Sequence, residues 1–215
     1  GRALALEPTP PILLLDEPLG ALDANLHINM QFELKSLQNE LGIVFLQVTH
    51  NQSDALAVAD RIVVMNRGRA EQVGTPAEIF SEPKTRFVAE LLDNNNVFEG
   101  TVVERHAAFV LVETKQGKFN VPVKKEPPPA DAKVTFVVRF DKLSLNPDSS
   151  EDNQFKAKFR GKVVSGSLVT YEFVSNDQPF KVETHLSSGL LSFQATEEAS
   201  LGWNSSAGYL IAAEN

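Results

Sequence analysis

Apolar positions in the first ninety residues follow the periods of strands and helices in turn. The run ILLL at 12–15 ends in a turn and predicts a strand buried on both faces of a parallel sheet. Similar runs at 43–49 and 61–65 predict two more strands. Between the first two runs, apolar residues recur every three or four positions and predict a core-packing helix that Asp23 caps and Gly42 ends. These residues are Leu26, Met30, Leu34, Leu37 and Leu41.

Two further segments predict helices, at 53–59 and 74–80, the second with Pro76 in its first turn. Strands that alternate with helices are typical of an α/β parallel sheet with right-handed crossovers. The sequence therefore predicts an α/β fold for residues 1–92.

The pattern changes after a polar cluster at 93–96, which predicts a linker. Beyond it, short strand-like runs alternate with turns and predict a small antiparallel barrel of the OB type. The proline-rich stretch 125–131 predicts a surface loop because proline donates no ladder hydrogen bond. The predicted strands are 97–103, 109–114, 118–123, 134–140, 157–164, 168–174, 180–184, 199–203 and 209–212.

Candidate chemistry lies where the first two strands end. Asp16 and Glu17 follow the first strand directly, and His50 follows the second. Open α/β sheets bind ligands at the carboxyl ends of their strands, and two carboxylates there suit a magnesium ion and an attacking water. Taken alone, the acidic pair also fits an ordinary turn, and the histidine fits a structural role.

The order of these residues resembles the ATPases of ATP-binding cassette (ABC) importers. Asp16 and Glu17 match the end of the Walker B strand, Leu22 and Asp23 match the D-loop, and His50 matches the switch histidine. The resemblance is nearly continuous over 1–92. It implies that Asp16 holds Mg²⁺ through water, that Glu17 orients or deprotonates the attacking water, and that His50 contacts the γ-phosphate of ATP. It also implies that Asp23 communicates across a head-to-tail dimer.

Residues 97–215 resemble the transport-associated OB (TOBE) regulatory domain of the same ATPases. The segments 98–104, 138–145 and 161–173 carry the likeness, although Phe140 and Asp141 stand where many relatives have Pro-Glu. OB barrels also bind nucleic acid, but that needs a basic face. Residues 97–215 hold 13 Lys plus Arg and 15 Asp plus Glu, and this balance argues against nucleic-acid binding. A row of alternating cations predicts a solvated barrel face or, as the alternative, an anion-binding stripe. These cations are Lys156, Lys158, Arg160 and Lys162.

Two family motifs are missing from the sequence. No G-x-x-x-x-G-K-[ST] sequence occurs, so there is no Walker A loop to cradle phosphates. The LSGGQ signature is also absent, and LSSGL at 186–190 lacks its second glycine and its glutamine. Residues 1–8 resemble the helix that follows the signature, and we therefore expect a fragment that is inactive alone.

The implied function is that of an ATP-hydrolysing subunit that drives solute uptake, with ATP and Mg²⁺ as cofactors. The implied partners are a second ATPase copy, two membrane-spanning permease subunits and an external solute-binding protein, with no nucleic acid. The implied location is cytoplasmic, peripheral on the inner face of the cell membrane. A non-enzymatic dimerisation or ligand-sensing module is the alternative function. The chain has no cysteine and thus no disulfide.

Overall fold

The computed structural model describes residues 10–20, 23–124, 126–148 and 151–211 of the 215-residue chain. Contacts divide the chain into two units, one up to Ser81 and one from Glu82 onward. The predicted helix tail at 1–8 and the D-loop residue Leu22 lie outside the described residues.

The first unit contains the predicted parallel pair of strands. Strand β1 (Ile12–Asp16) pairs in parallel with β2 (Val44–Val48), with Ile12 opposite Val44 and Asp16 opposite Val48. Helix α1 (Ala24–Leu41) connects the two strands. The prediction of a strand–helix–strand unit with parallel strands is therefore confirmed.

The prediction that β1 is buried on both faces is wrong. Every second side chain of both strands is exposed, and Ile12 and Leu14 keep 52% and 71% of their surface in contact with solvent. Among the described residues, β1 and β2 pair only with each other and form a two-stranded sheet. One apolar face of this sheet therefore has no cover from the described part of the chain.

Both predicted ends of α1 are confirmed. The Asp23 side chain accepts from the backbone N–H of Leu26, and Gly42 ends the helix in the left-handed region with φ 64°. The predicted packing of its apolar row is only partly right, because Leu26 is 44% exposed and the other four residues are half-buried.

The third predicted strand does not join the parallel sheet. Strand β3 (Ile62–Asn66) pairs in antiparallel fashion with β4 (Arg69–Gly74), a strand that the sequence pattern did not reveal. The turn between them has two left-handed residues, Arg67 at φ 46° and Gly68 at φ 78°. Such a turn matches the twist of paired strands and closes a hairpin. Helices α2 (Gln52–Val58) and α3 (Pro76–Ser81) complete this unit.

The second unit begins with helix α4 (Arg86–Leu91) and is otherwise almost entirely β-structure. One five-stranded antiparallel sheet has the order β14-β8-β5-β6-β7, and the other has the order β12-β11-β10-β13-β9. The strands are β5 (Asn95–Arg105), β6 (Phe109–Thr114), β7 (Lys118–Pro122), β8 (Lys133–Arg139), β9 (Ser144–Leu145), β10 (Asn153–Ser165), β11 (Leu168–Ser175), β12 (Gln178–His185), β13 (Glu198–Trp203) and β14 (Gly208–Ile211). Residues 126–131 form no strand, as predicted.

A cluster of aromatic rings joins these two sheets into one core. Phe98 stacks on Phe136 with 4.8 Å between ring centroids and lies 5.0 Å from Phe180 and 5.2 Å from Trp203. All four rings are fully buried. The predicted class, an α/β segment followed by an all-β OB-like domain, is therefore confirmed. Within the described part of the second unit, the short strand β9 is the one strand that was not predicted.

Half of the predicted linker at 93–96 belongs to a strand. Asn95 and Asn96 belong to β5, where they lie opposite Arg139 and Val138. The buried Asn96 side chain also accepts from the N–H of Lys181 and donates to its carbonyl, both at 2.8 Å. These two side-chain bonds resemble the backbone bonds between neighbouring strands. Asn96, which the sequence pattern assigned to a linker, therefore lies inside a sheet.

Candidate functional site

Glu17 turns sharply at the end of β1. Its backbone has φ 43°, a left-handed conformation that is uncommon for a residue with a Cβ atom. Its N–H donates to the carbonyl of Val48 at 2.9 Å, and its carbonyl accepts from the N–H of Gly20 at 3.2 Å. Strained backbone of this kind is often found at functional sites. Here it directs the Glu17 side chain toward the end of β2.

The Glu17 carboxylate accepts three hydrogen bonds from the residues that follow β2. Oε1 accepts from the backbone N–H of His50 at 2.8 Å and lies 2.7 Å from the ring nitrogen Nδ1 of His50. Oε2 accepts from the Thr49 hydroxyl at 3.2 Å. The structure thus brings together Glu17 and His50, which are 33 positions apart in sequence.

These contacts fix the charge of the carboxylate. The hydrogen bond from the His50 side chain, opposed by desolvation and helped by the His50 N–H and Thr49, holds the pKa of Glu17 below its usual value of 4.5. Glu17 is therefore ionised at neutral pH, and its oxygens act only as acceptors. It follows that His50 Nδ1 carries the proton in this contact, which leaves Nε2 for another partner. His50 is 85% exposed.

The loop that carries His50 is held by its own neighbours. The Thr49 hydroxyl accepts from the N–H of Asn51 at 3.0 Å. The Asn51 side chain caps α2 by accepting from the N–H groups of Ser53 and Asp54. Asn51 thus caps the helix without adding a charge.

The other two predicted site residues, Asp16 and Asp23, make no side-chain hydrogen bond to Glu17 or His50 in the described part of the chain. Asp16 is the last residue of β1 and is exposed. The Asp23 carboxylate caps α1 through its 3.0 Å bond with Leu26. In the parts of the chain that the structure describes, no group of three or more His, Asp or Glu side chains is arranged to hold a metal ion. Asp16 was the only residue predicted to hold a metal ion, and this role stays a prediction.

Sequence reasoning missed a buried polar cluster beside the site. Asp54, in the first turn of α2, is only 2% exposed. Its Oδ1 accepts from Gln31 Nε2 at 2.8 Å and bonds to His27 Nε2. His27 and Gln31 are four positions apart on α1, so they share one face of that helix. Their spacing was the available signal, and the cluster attaches α2 to α1.

Two of the four cations that alternate along β10 form ion pairs with glutamates on neighbouring strands. Lys156 pairs with Glu198 at 3.0 Å, and Arg160 pairs with Glu172 at 2.6 Å. These ion pairs favour the solvated barrel face over an anion-binding stripe. Residues 186–188, part of the LSSGL segment, form a short 3₁₀ turn inside the all-β unit.

Comparison with known proteins links the chain to one group of relatives. It is 43% identical over 173 residues to the spermidine/putrescine import ATP-binding protein PotA of Trichormus variabilis, which covers 79% of this chain and 45% of that protein. It is 56% identical over 100 residues to the protein of the same name from Borreliella afzelii, covering 46% and 28%. The chain spans about half the length, or less, of these relatives.

Among solved structures, the cytoplasmic molybdate-binding protein ModG with molybdate bound matches 55% of this chain and 96% of its own, with 18% identity and a TM-score of 0.47. No protein-family model matches the chain. None of the helices in the described ranges is long and apolar enough to cross a membrane. The chain is a relative of the ATP-binding proteins of ABC importers, matched over about four-fifths of its own length.

Proposed function

We propose that this chain belongs to an ATP-hydrolysing subunit of an ABC importer and supplies the catalytic carboxylate and the switch histidine of that subunit. The observation that carries the proposal is the contact between Glu17 and His50 at the carboxyl end of a parallel strand pair. Open α/β sheets bind ligands at this edge. The 43% identity to an import ATP-binding protein supports the same reaction.

Glu17 is suited to act on water. Its carboxylate is ionised, and its left-handed backbone and three donors hold it in one orientation. We propose that it takes up a proton from the water that attacks the γ-phosphorus of ATP, while the bond from that phosphorus to the departing ADP oxygen breaks. Positioning and charge stabilisation dominate phosphoryl transfer, so a fixed acceptor is the main requirement.

His50 is suited to contact the transferred phosphoryl group. Nδ1 points to Glu17, so the exposed Nε2 is the nitrogen that reaches a ligand. A phosphate oxygen is an acceptor, as is the Glu17 carboxylate, and a histidine that binds both must carry protons on both nitrogens. The imidazolium form then adds a positive charge where negative charge develops.

The carboxylates at this edge fit Mg²⁺, which prefers oxygen ligands and usually takes only one or two carboxylates beside water and phosphate. We propose that Asp16, exposed at the end of β1, holds the ion through a water molecule. When bound, the ion neutralises phosphate charge. Asp23 keeps the D-loop end of α1 fixed through its cap bond, and communication across the ATPase dimer would begin there.

We also propose the setting of the whole protein. It would act with a second ATPase copy, two permease subunits and an external solute-binding protein, at the cytoplasmic face of the membrane. The names of the relatives favour a polyamine as the transported solute. The all-β unit would serve in pairing of copies or in sensing a ligand. The 215 residues alone lack a Walker A sequence, so we expect calorimetry with Mg-ATP to show no micromolar binding.

A hybrid protein tests the catalytic roles. Residues 10–92 would replace the matching residues of the Trichormus variabilis PotA, and ATP hydrolysis would be measured. We expect an active hybrid, and a loss of about 100-fold or more with Glu17→Gln. Glu33→Gln, on the exposed side of α1, is the control and should leave the rate unchanged. An inactive hybrid, or equal rates for Glu17→Gln and Glu33→Gln, would refute the proposal.

A further inference from the structure

Helix α2, which follows His50 in the chain, is anchored by a polar side chain. Of its seven residues, all of which the structure describes, Asp54 is the one that is buried, and the apolar residues Leu56 and Val58 are only half-buried. A helix of two turns is marginal in water without tertiary contacts. The position of α2 in the first unit therefore depends strongly on the hydrogen bonds of the Asp54 carboxylate.

Two side chains near the start of α1 bond to this carboxylate. His27 Nε2 and Gln31 Nε2 both bond to Asp54 Oδ1. His27 is the fourth residue of α1, and its backbone N–H donates to the carbonyl of the N-cap residue Asp23 at 2.8 Å. A carboxylate that is 2% exposed is costly to leave without donors. These directional bonds therefore fix the distance and the orientation between the first turns of α1 and α2.

The first turn of α2 is connected in turn to Glu17. The N–H of Asp54 donates to Asn51 Oδ1 at 3.4 Å, and the N–H of Asn51 donates to the Thr49 hydroxyl at 3.0 Å. That hydroxyl donates to Glu17 Oε2 at 3.2 Å. An unbroken row of hydrogen-bonded residues therefore runs from His27 to Glu17.

We propose that His27 is a positioning residue for ATP hydrolysis. Through Asp54 it holds the start of α2, and with it the loop 49–51, at the place where His50 donates to Glu17. This role rests on the catalytic functions proposed above for Glu17 and His50. Hydrogen-bonded rows of this kind can carry coupling between distant groups, and a misplacement of about 1 Å at a catalytic group can lower a rate about 100-fold.

Amide hydrogen exchange of the 215-residue chain tests the positioning without ATP. The N–H of His50 donates to Glu17 Oε1, whereas the N–H of Glu17 donates to the Val48 carbonyl across the strand pair. His27→Ala should raise the exchange rate of His50 about tenfold or more relative to that of Glu17, because only the loop loses its support. His27→Gln keeps a side-chain N–H donor and should leave this ratio close to the native one.

A core variant outside the row is the matched control. Ile79 on α3 is 1% exposed, so Ile79→Ala leaves a cavity and lowers the stability of the same unit. A general loss of stability should change the exchange of the His50 and Glu17 amides by the same factor. The ratio of the two rates therefore separates a positioning role of His27 from a merely structural one.

The hybrid that carries residues 10–92 gives the kinetic measurement. His27→Ala should lower kcat for ATP hydrolysis about tenfold, because Gln31 still holds Asp54 and the loop is displaced only in part. The KM for ATP should change less than about twofold, since the displaced groups act on the attacking water and the γ-phosphate alone. His27→Gln should retain most of the rate, and Ile79→Ala should keep the native kcat.

The two measurements distinguish the failure of this role from the failure of the catalytic proposal. An inactive hybrid would refute the catalytic roles, and the exchange ratio would then decide the function of His27 by itself. An exchange ratio that His27→Ala leaves unchanged, a His27→Gln variant that behaves like His27→Ala, or equal losses of kcat in His27→Ala and Ile79→Ala would overturn the proposal.

Discussion

The side chain of Asn153 and the backbone of Asn120 bind each other twice. The N–H of Asn120 donates to Asn153 Oδ1, and Asn153 Nδ2 donates to the Asn120 carbonyl, both at 2.8 Å. Asn153 is the first residue of β10, Asn120 lies in β7, and the two strands belong to different sheets. Asn153 is only 1% exposed, and its side chain joins two sheets that share no backbone ladder among the described residues.

Removal of this link should be costly. Asn153→Ala leaves a buried N–H and a buried carbonyl of Asn120 without partners, and we expect a loss of about 2–3 kcal/mol in the free energy of unfolding. Gln154→Ala removes bonds to two exposed carbonyls, those of Asp148 and Glu151, and should cost about 0.5 kcal/mol. Urea unfolding monitored by the single tryptophan, Trp203, measures both. Equal losses would contradict the proposed role of Asn153.

The aromatic core makes a second prediction. Phe98 is fully buried against Phe136, Phe180 and Trp203, so Phe98→Ala creates a cavity and should lower the free energy of unfolding by about 3–5 kcal/mol. Phe32 on α1 is 72% exposed, and Phe32→Ala should change the stability by less than about 0.5 kcal/mol. Thermal unfolding followed by circular dichroism and Trp203 fluorescence compares the two variants. A small effect of Phe98→Ala would mean that the neighbouring rings collapse into the space.

Local signals in the sequence predicted most elements of this fold. The Asp23 cap, the Gly42 stop and the alternating strands after Asn96 each depend on residues close in sequence, and each is found in the structure. Partners that depend on long-range pairing were harder to predict. The assignment of β3 to the parallel sheet failed because a strand's neighbour is chosen by the chain's three-dimensional course, and here the tight turn at Arg67 and Gly68 selects β4.

In the candidate site too, residues with a local sequence signal were predicted, and residues that depend on long-range contacts were not. Asp16, Glu17 and His50 were predicted because each follows a strand, and the structure brings Glu17 and His50 into contact. Thr49 and Asp54 were not predicted, since their importance lies in hydrogen bonds to residues 32 and 27 positions away in the sequence. A buried carboxylate has no local signature beyond a polar residue on an otherwise ordinary helix.

The buried cluster around Asp54 makes a third prediction. His27→Ala removes one of two donors from a carboxylate that is 2% exposed, and we expect a loss of about 2–3 kcal/mol. Lys35→Ala removes an ion pair with Asp60, which is 77% exposed, and should cost less than about 0.5 kcal/mol. Urea unfolding followed by far-ultraviolet circular dichroism compares the variants. A double-mutant cycle of His27→Ala with Asp54→Ala should show coupling, and simple additivity would rule out a direct interaction.

The contact between His50 and Glu17 makes the last prediction, which concerns pH. The His50 hydrogen bond is the largest cause of the lowered pKa of Glu17, so His50→Ala should raise that pKa toward 4.5. A carboxyl with a lowered pKa in the folded protein contributes stability above its ordinary pKa, and that contribution is lost as the pH falls through the folded value. The native chain should therefore be more stable than His50→Ala above about pH 5, and the difference should shrink steadily on acidification below 4.5. Carbon-13 NMR of the Glu17 carboxyl measures the pKa directly in the native chain and in His50→Ala. An unchanged Glu17 titration in His50→Ala would show that Thr49 and the backbone alone hold the carboxylate in its charged form.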